Sequence, residues 1–249
     1  VHLRKRWCSS DMIQDIWPKH LDNQYKNLKP GNEDTVFYFQ GSSLLARPSG
    51  HFNLQNSEEN VLIYPQYDEF VQGIKSSYGD KAVDNFEFIY LLSIDEEHFF
   101  LARKTGSLER GTFLGEMADS AVHKDMYSFV RGYEFIGVDS FRKAQPREHA
   151  YAAITAFHLY GWYRDNHFCG RCGKPLKHDD KQRMLRCDCC KNMVFPKICP
   201  AVIVAVTDKD RILLTKYAGR TYRNYALIAG FTEIGETTEE TVSREVMEE

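Results

Sequence analysis

Three carboxylates and four thiols hold most of the chemistry this sequence can do. In "SREVMEE", at residues 243–249, Glu245, Glu248 and Glu249 stand at i, i+3 and i+4, which puts them on one face of a helix. Like charges at that spacing cost an isolated helix about 0.2–0.5 kcal/mol per pair, so a purely structural helix gains nothing from them. A divalent cation reverses the sign. Mg²⁺ takes oxygen ligands in an octahedron, keeps several waters and joins carboxylates to substrate phosphates. A solvated acidic face has the same composition, so acidity alone leaves both readings open.

The thiols are more specific. Cys169-x2-Cys172-x14-Cys187-x2-Cys190 contains two Cys-x-x-Cys knuckles, "CGRC" and "CDCC", each able to aim two sulfurs at one point. Together they complete the tetrahedron that Zn²⁺ accepts without geometric penalty, the arrangement of a zinc ribbon. The rival reading is of buried or redox cysteines, which paired spacing in a chain without a secretory signal disfavours. Iron fits the same sulfur cage, and the ligands alone do not separate the metals. A closed four-thiolate site has no open position, so its expected role is structural. Cys189 in place of Cys190 would shorten the second knuckle, and Cys8 and Cys199 read as ordinary thiols.

The elements that position these groups follow from the flanking patterns. "AVIVAV" at 201–206 and "RILLTKY" at 211–217 predict a β-hairpin, and "YALIAGF" at 225–231 a further strand. The acidic helix should begin near Thr237, which forms a capping box with Glu240. Before the cysteines, "REHAYAAITAFHLYGWYRD" has helical spacing and reads as a connecting helix, with His149 and His158 as surface or packing residues. Further upstream, "FEFIYLLSI" and "HFFLARK" predict a hairpin across Asp95–Glu97, "QYDEFVQGI" a short helix, and "TVFYFQGSSLL" and "NVLIY" strands. The expected organisation is an α+β domain over 1–146, a connecting helix over 147–166, a zinc ribbon over 167–198 and a last domain over 199–249. The first of these carries no recognisable chemistry and reads as a scaffold or dimerisation domain.

Composition excludes little. The chain has 249 residues, 43% apolar and 13% aromatic, enough for one large or two modest cores. A net charge of −3 gives no global pull toward nucleic acid or anionic lipid, so any such binding must come from a local patch. The first thirty residues lack the apolar stretch of a signal peptide, and no run approaches the roughly 20 residues that span a bilayer. A reducing, cytoplasmic setting is expected. Val1 is not an initiator Met and Glu249 closes no element, so the chain is expected to be a piece of a longer one; a C-terminal peroxisomal address would lie beyond it.

The full C-terminal pattern decides between the two readings of the acidic helix. Gly230-x5-Glu236-x7-Arg244-Glu245-Val246-Met247-Glu248-Glu249 resembles the signature of the Nudix hydrolases, with six fixed residues and one apolar position in register. The order of parts resembles one branch, the NADH pyrophosphatases, which also remove NAD caps from RNA. In that branch a Nudix-like N-terminal domain precedes a four-cysteine zinc ribbon and an α/β/α Nudix fold, of which only the N-terminal part would be present here. "FCGRCG", "MVFPKICPAVIVAV", "ALIAGFTEIGE" and "SREVMEE" carry the likeness; residues 1–140 carry it only through domain order and fragments such as "FQGSSLLA".

The resemblance implies hydrolysis of the diphosphate bridge of NAD(H) to nicotinamide mononucleotide and AMP, with structural Zn²⁺ and catalytic Mg²⁺ or Mn²⁺. It assigns Glu245, Glu249 and the backbone carbonyl of Ala229 to the catalytic metals and Glu248 to metal binding or water activation. Arg244 and Glu236 would orient that cluster. Phe195 and Phe231 match positions that stack on substrate rings, Phe195 standing where a tyrosine is frequent. Gln182 and Arg142 fall near positions for a substrate-contacting glutamate and a phosphate-binding arginine. A homodimer, with NAD(H) or NAD-capped RNA as partner, is the family expectation. The alternatives are a Nudix hydrolase of another nucleoside diphosphate derivative such as ADP-ribose, and a non-catalytic module that binds RNA through the zinc ribbon and the basic stretch "KHDDKQRMLR".

Overall fold

A computed structural model describes residues 13–49, 61–105, 128–216, 218–219 and 224–249. The chain divides into two units, Val1–Pro196 and Lys197–Glu249.

In the first unit, the strands are β1 (Leu21–Asp22), β2 (Thr35–Gln40), β3 (Ser43–Ser49), β4 (Val61–Ile63), β5 (Phe86–Ile94), β6 (Glu97–Lys104) and β7 (Glu134–Gly137). The helices are α1 (Tyr67–Tyr78) and α2 (Arg147–Asp165). The seven strands form one sheet in the order β1-β5-β6-β2-β3-β4, with β7 also on β3. Pairing is antiparallel except between β2 and β6, where Thr35–Tyr38 run beside Phe99–Ala102. The expected β5–β6 hairpin is present. It turns at Asp95, whose backbone is left-handed (φ 52°) and whose carboxylate accepts the His20 N–H at 2.8 Å.

Period-two alternation sorts the apolar side chains onto two buried faces. Phe37, Phe39, Leu91, Phe99 and Leu101 face α2, whereas Val36, Tyr90, Phe100 and Ala102 face Phe70 and Ile74 of α1. Burying each Phe or Leu contributes about 1.5–3 kcal/mol. The α2 helix is more than a connection: Ala150, Ala152, Ala153 and Ala156 are buried in the same cluster as the sheet, their small side chains allowing close approach. His149 is a packing residue tied to Glu97 at 2.6 Å.

The cysteine segment forms a three-stranded antiparallel sheet of β8 (Leu176–His178), β9 (Leu185–Cys187) and β10 (Met193–Val194). Its inner face joins the α2 side of the core through Leu185, Leu176 and Val194. His178 bonds the Tyr163 hydroxyl at 2.7 Å, and Arg183 donates to the Leu91 carbonyl of β5.

The second unit contains β11 (Ala201–Val204), β12 (Thr207–Asp208), β13 (Arg211–Ile212), β14 (Ile228–Phe231) and α3 (Thr238–Glu248). Here the pairing differs from expectation. "AVIVAV" meets "RILLTKY" only at its end, where the Leu213 N–H bonds the Val206 carbonyl at 2.9 Å; its strand β11 pairs antiparallel with β14, Ala201 opposite Phe231 and Val204 opposite Ile228. The hairpin that does form is the short β12–β13 pair, closed by Lys209 at φ 56° and only two residues long on each side. "IAGF" offers β11 a partner of matching length. Among the described residues no helix is long and apolar enough to cross a membrane.

Candidate active site and metal centre

The start of α3 is fixed as its sequence predicts. Thr237 is the N-cap: its hydroxyl accepts the Glu240 N–H at 3.2 Å, while the Glu240 carboxylate accepts the Thr237 N–H at 2.8 Å. This fixed start sets which face of α3 meets β14.

Arg244 is the hub of that face. Its guanidinium donates to both Glu236 oxygens at 2.7 and 3.0 Å, to Glu245 at 2.7 Å, to Glu248 at 3.2 Å and to the Phe231 carbonyl at 2.8 Å. These charge-assisted bonds hold three carboxylates and one strand end around a single planar cation. The Arg244 hydrogen bond, helped by the Glu233 N–H and the Thr241 hydroxyl, holds Glu236 down to about 2. Reciprocally, Glu236 and Glu245 raise Arg244 further above its ordinary value.

Because its folded value is depressed, Glu236 stabilises the fold fully above its ordinary value of 4.5, and that contribution is lost as pH falls toward about 2. The difference in melting temperature between the wild type and Glu236→Gln should therefore be largest above pH 5 and shrink steadily toward pH 2.

Glu245 is 8% exposed and lies against Gly230 of β14. A Cβ built on Gly230 would land on the Glu245 carboxylate, so any side chain there displaces that carboxylate. Ala229, whose carbonyl is expected to face the metals, is the preceding residue, paired with Ile203. Glu248 and Glu249 are exposed, and the Glu249 N–H bonds the Glu245 carbonyl at 3.2 Å, one turn back. The structure therefore brings Glu236, Arg244, Glu245 and Glu248 together, with Glu249 adjoining along the helix. The oxygens of Glu245, Glu248 and Glu249 do not all lie within 4.8 Å of one another, since among the described residues only the cysteines form such a set. The donor set, hard carboxylate oxygens packed against the Gly230 backbone of β14, suits Mg²⁺ or Mn²⁺.

Phe231 is 67% exposed, its ring free to meet a flat ligand while its carbonyl is held by Arg244. Phe195 is 52% exposed in the first unit, and Gln182 is exposed there, its N–H bound to Asp179 at 3.0 Å. The Arg142 side chain and Cys8 lie outside the described residues. Sequence reasoning missed Thr241, which is fully buried and donates to Glu236 at 2.9 Å. Its only signal is a polar residue three positions before Arg244, on the helix face that packs.

The sulfurs of Cys169, Cys172, Cys187 and Cys190 lie within 4.8 Å of one another, with Cys169–Cys190 at 3.5 Å and Cys172–Cys187 at 3.4 Å. Bonds of about 2.3 Å to a tetrahedral Zn²⁺ place sulfurs about 3.8 Å apart, so the cage fits zinc. Cys189 is exposed and outside the set. Each knuckle turns through a left-handed residue, Gly173 (φ 70°) in the first and Lys191 (φ 60°) in the second, whose N–H bonds the carbonyl of the knuckle's first cysteine. Four thiols so close cannot all ionise without a cation. Burial works to raise Cys169, yet the N–H groups of Arg171 and Cys172 and the Cys190 thiol outweigh it and bring Cys169 to about 6. At Cys172 the Lys174 N–H works downward, but the bond with Cys187, burial and the other thiols push it up to about 12. The set can hold a metal ion such as zinc.

Comparison with known proteins bears directly on this geometry. Residues 197–249 match the NUDIX domain. The C-terminal unit is a NUDIX domain. The chain is also 40% identical, over 91 residues, to the NAD-capped RNA hydrolase NudC of Salmonella typhi and to that of Salmonella heidelberg strain SL476. The match covers 36% of the chain and 35% of each relative, so the chain spans about a third of the length of the relatives it matches.

Proposed function

We propose that the NUDIX unit belongs to an enzyme that hydrolyses the diphosphate bridge of NAD(H), and of NAD caps at RNA 5′ ends. Water adds to one phosphorus, the bridging P–O bond breaks, and nicotinamide mononucleotide and AMP (or a 5′-monophosphate RNA) leave. The observation that carries this reading is the Arg244-centred carboxylate cluster seated against Gly230 in a segment that matches the NUDIX domain. The names of the relatives supply the substrate class.

In this reading Glu245, Glu249 and the Ala229 carbonyl hold Mg²⁺ or Mn²⁺, with Glu248 as a further ligand or as the group that orients the attacking water. When bound, such ions neutralise the diphosphate and lower the pKa of a coordinated water. Arg244 and Glu236 keep the carboxylates in place. Phe231 and Phe195 offer stacking faces to the rings, and Gln182 and Arg142 are further substrate contacts. Zn²⁺ in the four-cysteine cage is structural. A homodimer is the proposed working form.

The test is turnover of NADH, NAD⁺, NAD-capped RNA and ADP-ribose by the intact gene product, side by side, with Mg²⁺ or Mn²⁺ supplied. NAD(H) and the capped RNA should be cleaved in preference. An enzyme that spares the dinucleotides and cleaves ADP-ribose would sink this reading.

A further inference from the structure

The outer face of the cysteine ribbon holds a feature that metal binding does not use. Within residues 167–196, seven Lys and Arg stand against three Asp, in a chain whose net charge is −3. The segment stays positive even with the two negative charges that four thiolates leave around one Zn²⁺.

The ribbon sheet sorts these charges. Its register sets His178 opposite Leu185 and Leu185 opposite Val194, the row turned toward the core, and Lys177 opposite Arg186 and Arg186 opposite Met193. The second row is exposed in all three strands. The Arg186 guanidinium lies 4.0 Å from the Met193 sulfur, so the row is continuous. Phe195, also exposed, follows two residues after Met193.

Two cations directly opposite across strands are unfavourable, so a ribbon that only held a metal would gain nothing from Lys177 beside Arg186. Each has an acidic neighbour: Lys177 pairs with Asp188 at 2.6 Å and Arg186 with Asp179 at 3.7 Å. The first is an exposed pair of the kind worth little in water, the second is long, with Asp179 half-buried, and a phosphate can compete for either cation. Basic groups that meet phosphates beside a thioether and an aromatic ring that meet bases form the surface that single-stranded nucleic acid recognises.

We propose that the outer face of the ribbon, the row Lys177–Arg186–Met193 running toward Phe195, binds the single-stranded RNA that follows a 5′ cap. This rests on the cap-hydrolase reading for its choice of RNA as the polyanion, and its test does not require hydrolysis.

The experiment compares the intact, zinc-loaded protein with Lys177→Gln/Arg186→Gln. Binding of an uncapped, fluorescein-labelled 20-nucleotide single-stranded RNA is followed by anisotropy over a range of salt. Removing two phosphate contacts should weaken binding at least about fivefold at low salt and flatten the slope of log K against log salt by about 1.4, at about 0.7 per contact for single strands. NADH hydrolysis should be unchanged. Met193→Ala should weaken RNA binding without altering the salt slope. Equal affinity and equal slope in wild type and double variant would overturn the proposal. So would a wild type that binds no RNA, which would leave the row as a solvated or protein-facing surface. Failure to cleave any NAD substrate while the RNA effects persist would instead sink the hydrolase reading alone.

Discussion

Under the proposed dinucleotide hydrolysis, Gly230→Ala is expected to lower kcat/KM by about a hundredfold while leaving most of the fold intact. The methyl group would occupy the position of the Glu245 carboxylate. Swinging Glu245 aside breaks the bond that holds it in the cluster. Glu245 is 8% exposed and held at 2.7 Å by Arg244, which is bonded to Glu236, Glu248 and the Phe231 carbonyl as well. Turning that side chain off β14 takes its carboxylate away from the cluster in which it would act on a metal. Displacements of about 1 Å at a reacting centre cost on the order of 10²-fold in rate. Steady-state kinetics beside Glu248→Gln, which removes a carboxylate outright, set the scale: the glycine variant should approach the glutamine variant in kcat. A Gly230→Ala enzyme with wild-type kcat and KM would mean that Glu245 has no part in catalysis.

The same glycine shows what a sequence reveals and what it conceals. The knuckle spacing of Cys169, Cys172, Cys187 and Cys190 and the Thr237 capping box are local, so residue type and interval define them almost completely, and both lie where their patterns put them. The alternation of Val36, Phe37, Tyr38 and Phe39 between two buried faces is legible for the same reason. Gly230 appears in the sequence only as a fixed position in a motif. Its physical reason, a carboxylate fifteen residues away pressed onto the strand, exists only after β14 and α3 have packed. The partner of β11 was hidden too, because pairing depends on which apolar segment returns in register. "RILLTKY" and "IAGF" look alike to a propensity argument, and only the fold distinguishes them. Thr241 shows the limit most plainly, since a threonine three residues before Arg244 looks like any solvated threonine until its hydroxyl is found on Glu236.

Cys187→Ser should cost the first unit about 3–5 kcal/mol and lower its melting temperature by about 10 °C or more. The effect extends beyond the metal because the ribbon is not an appendage. Leu185, two residues before Cys187 on β9, is buried with Phe39, Leu91 and the alanines of α2, so losing the ribbon uncovers that core. The His178–Tyr163 bond and the Arg183 contact with the edge of β5 would go with it. Only part of the zinc binding energy is forfeited, because the remaining thiols take up protons instead of staying as buried anions. That exchange also fixes the sign of the pH dependence. A thiol held near 12, as at Cys172, must give up its proton when the metal enters, so zinc binding weakens as pH falls and releases protons into a weakly buffered solution. Zinc content by atomic emission, thermal melting and proton release can be measured on one set of samples. Cys189→Ser, outside the cage, should leave all three unchanged. A Cys187→Ser protein that melts with the wild type would place the ribbon's stability in its packing and leave the metal no structural role.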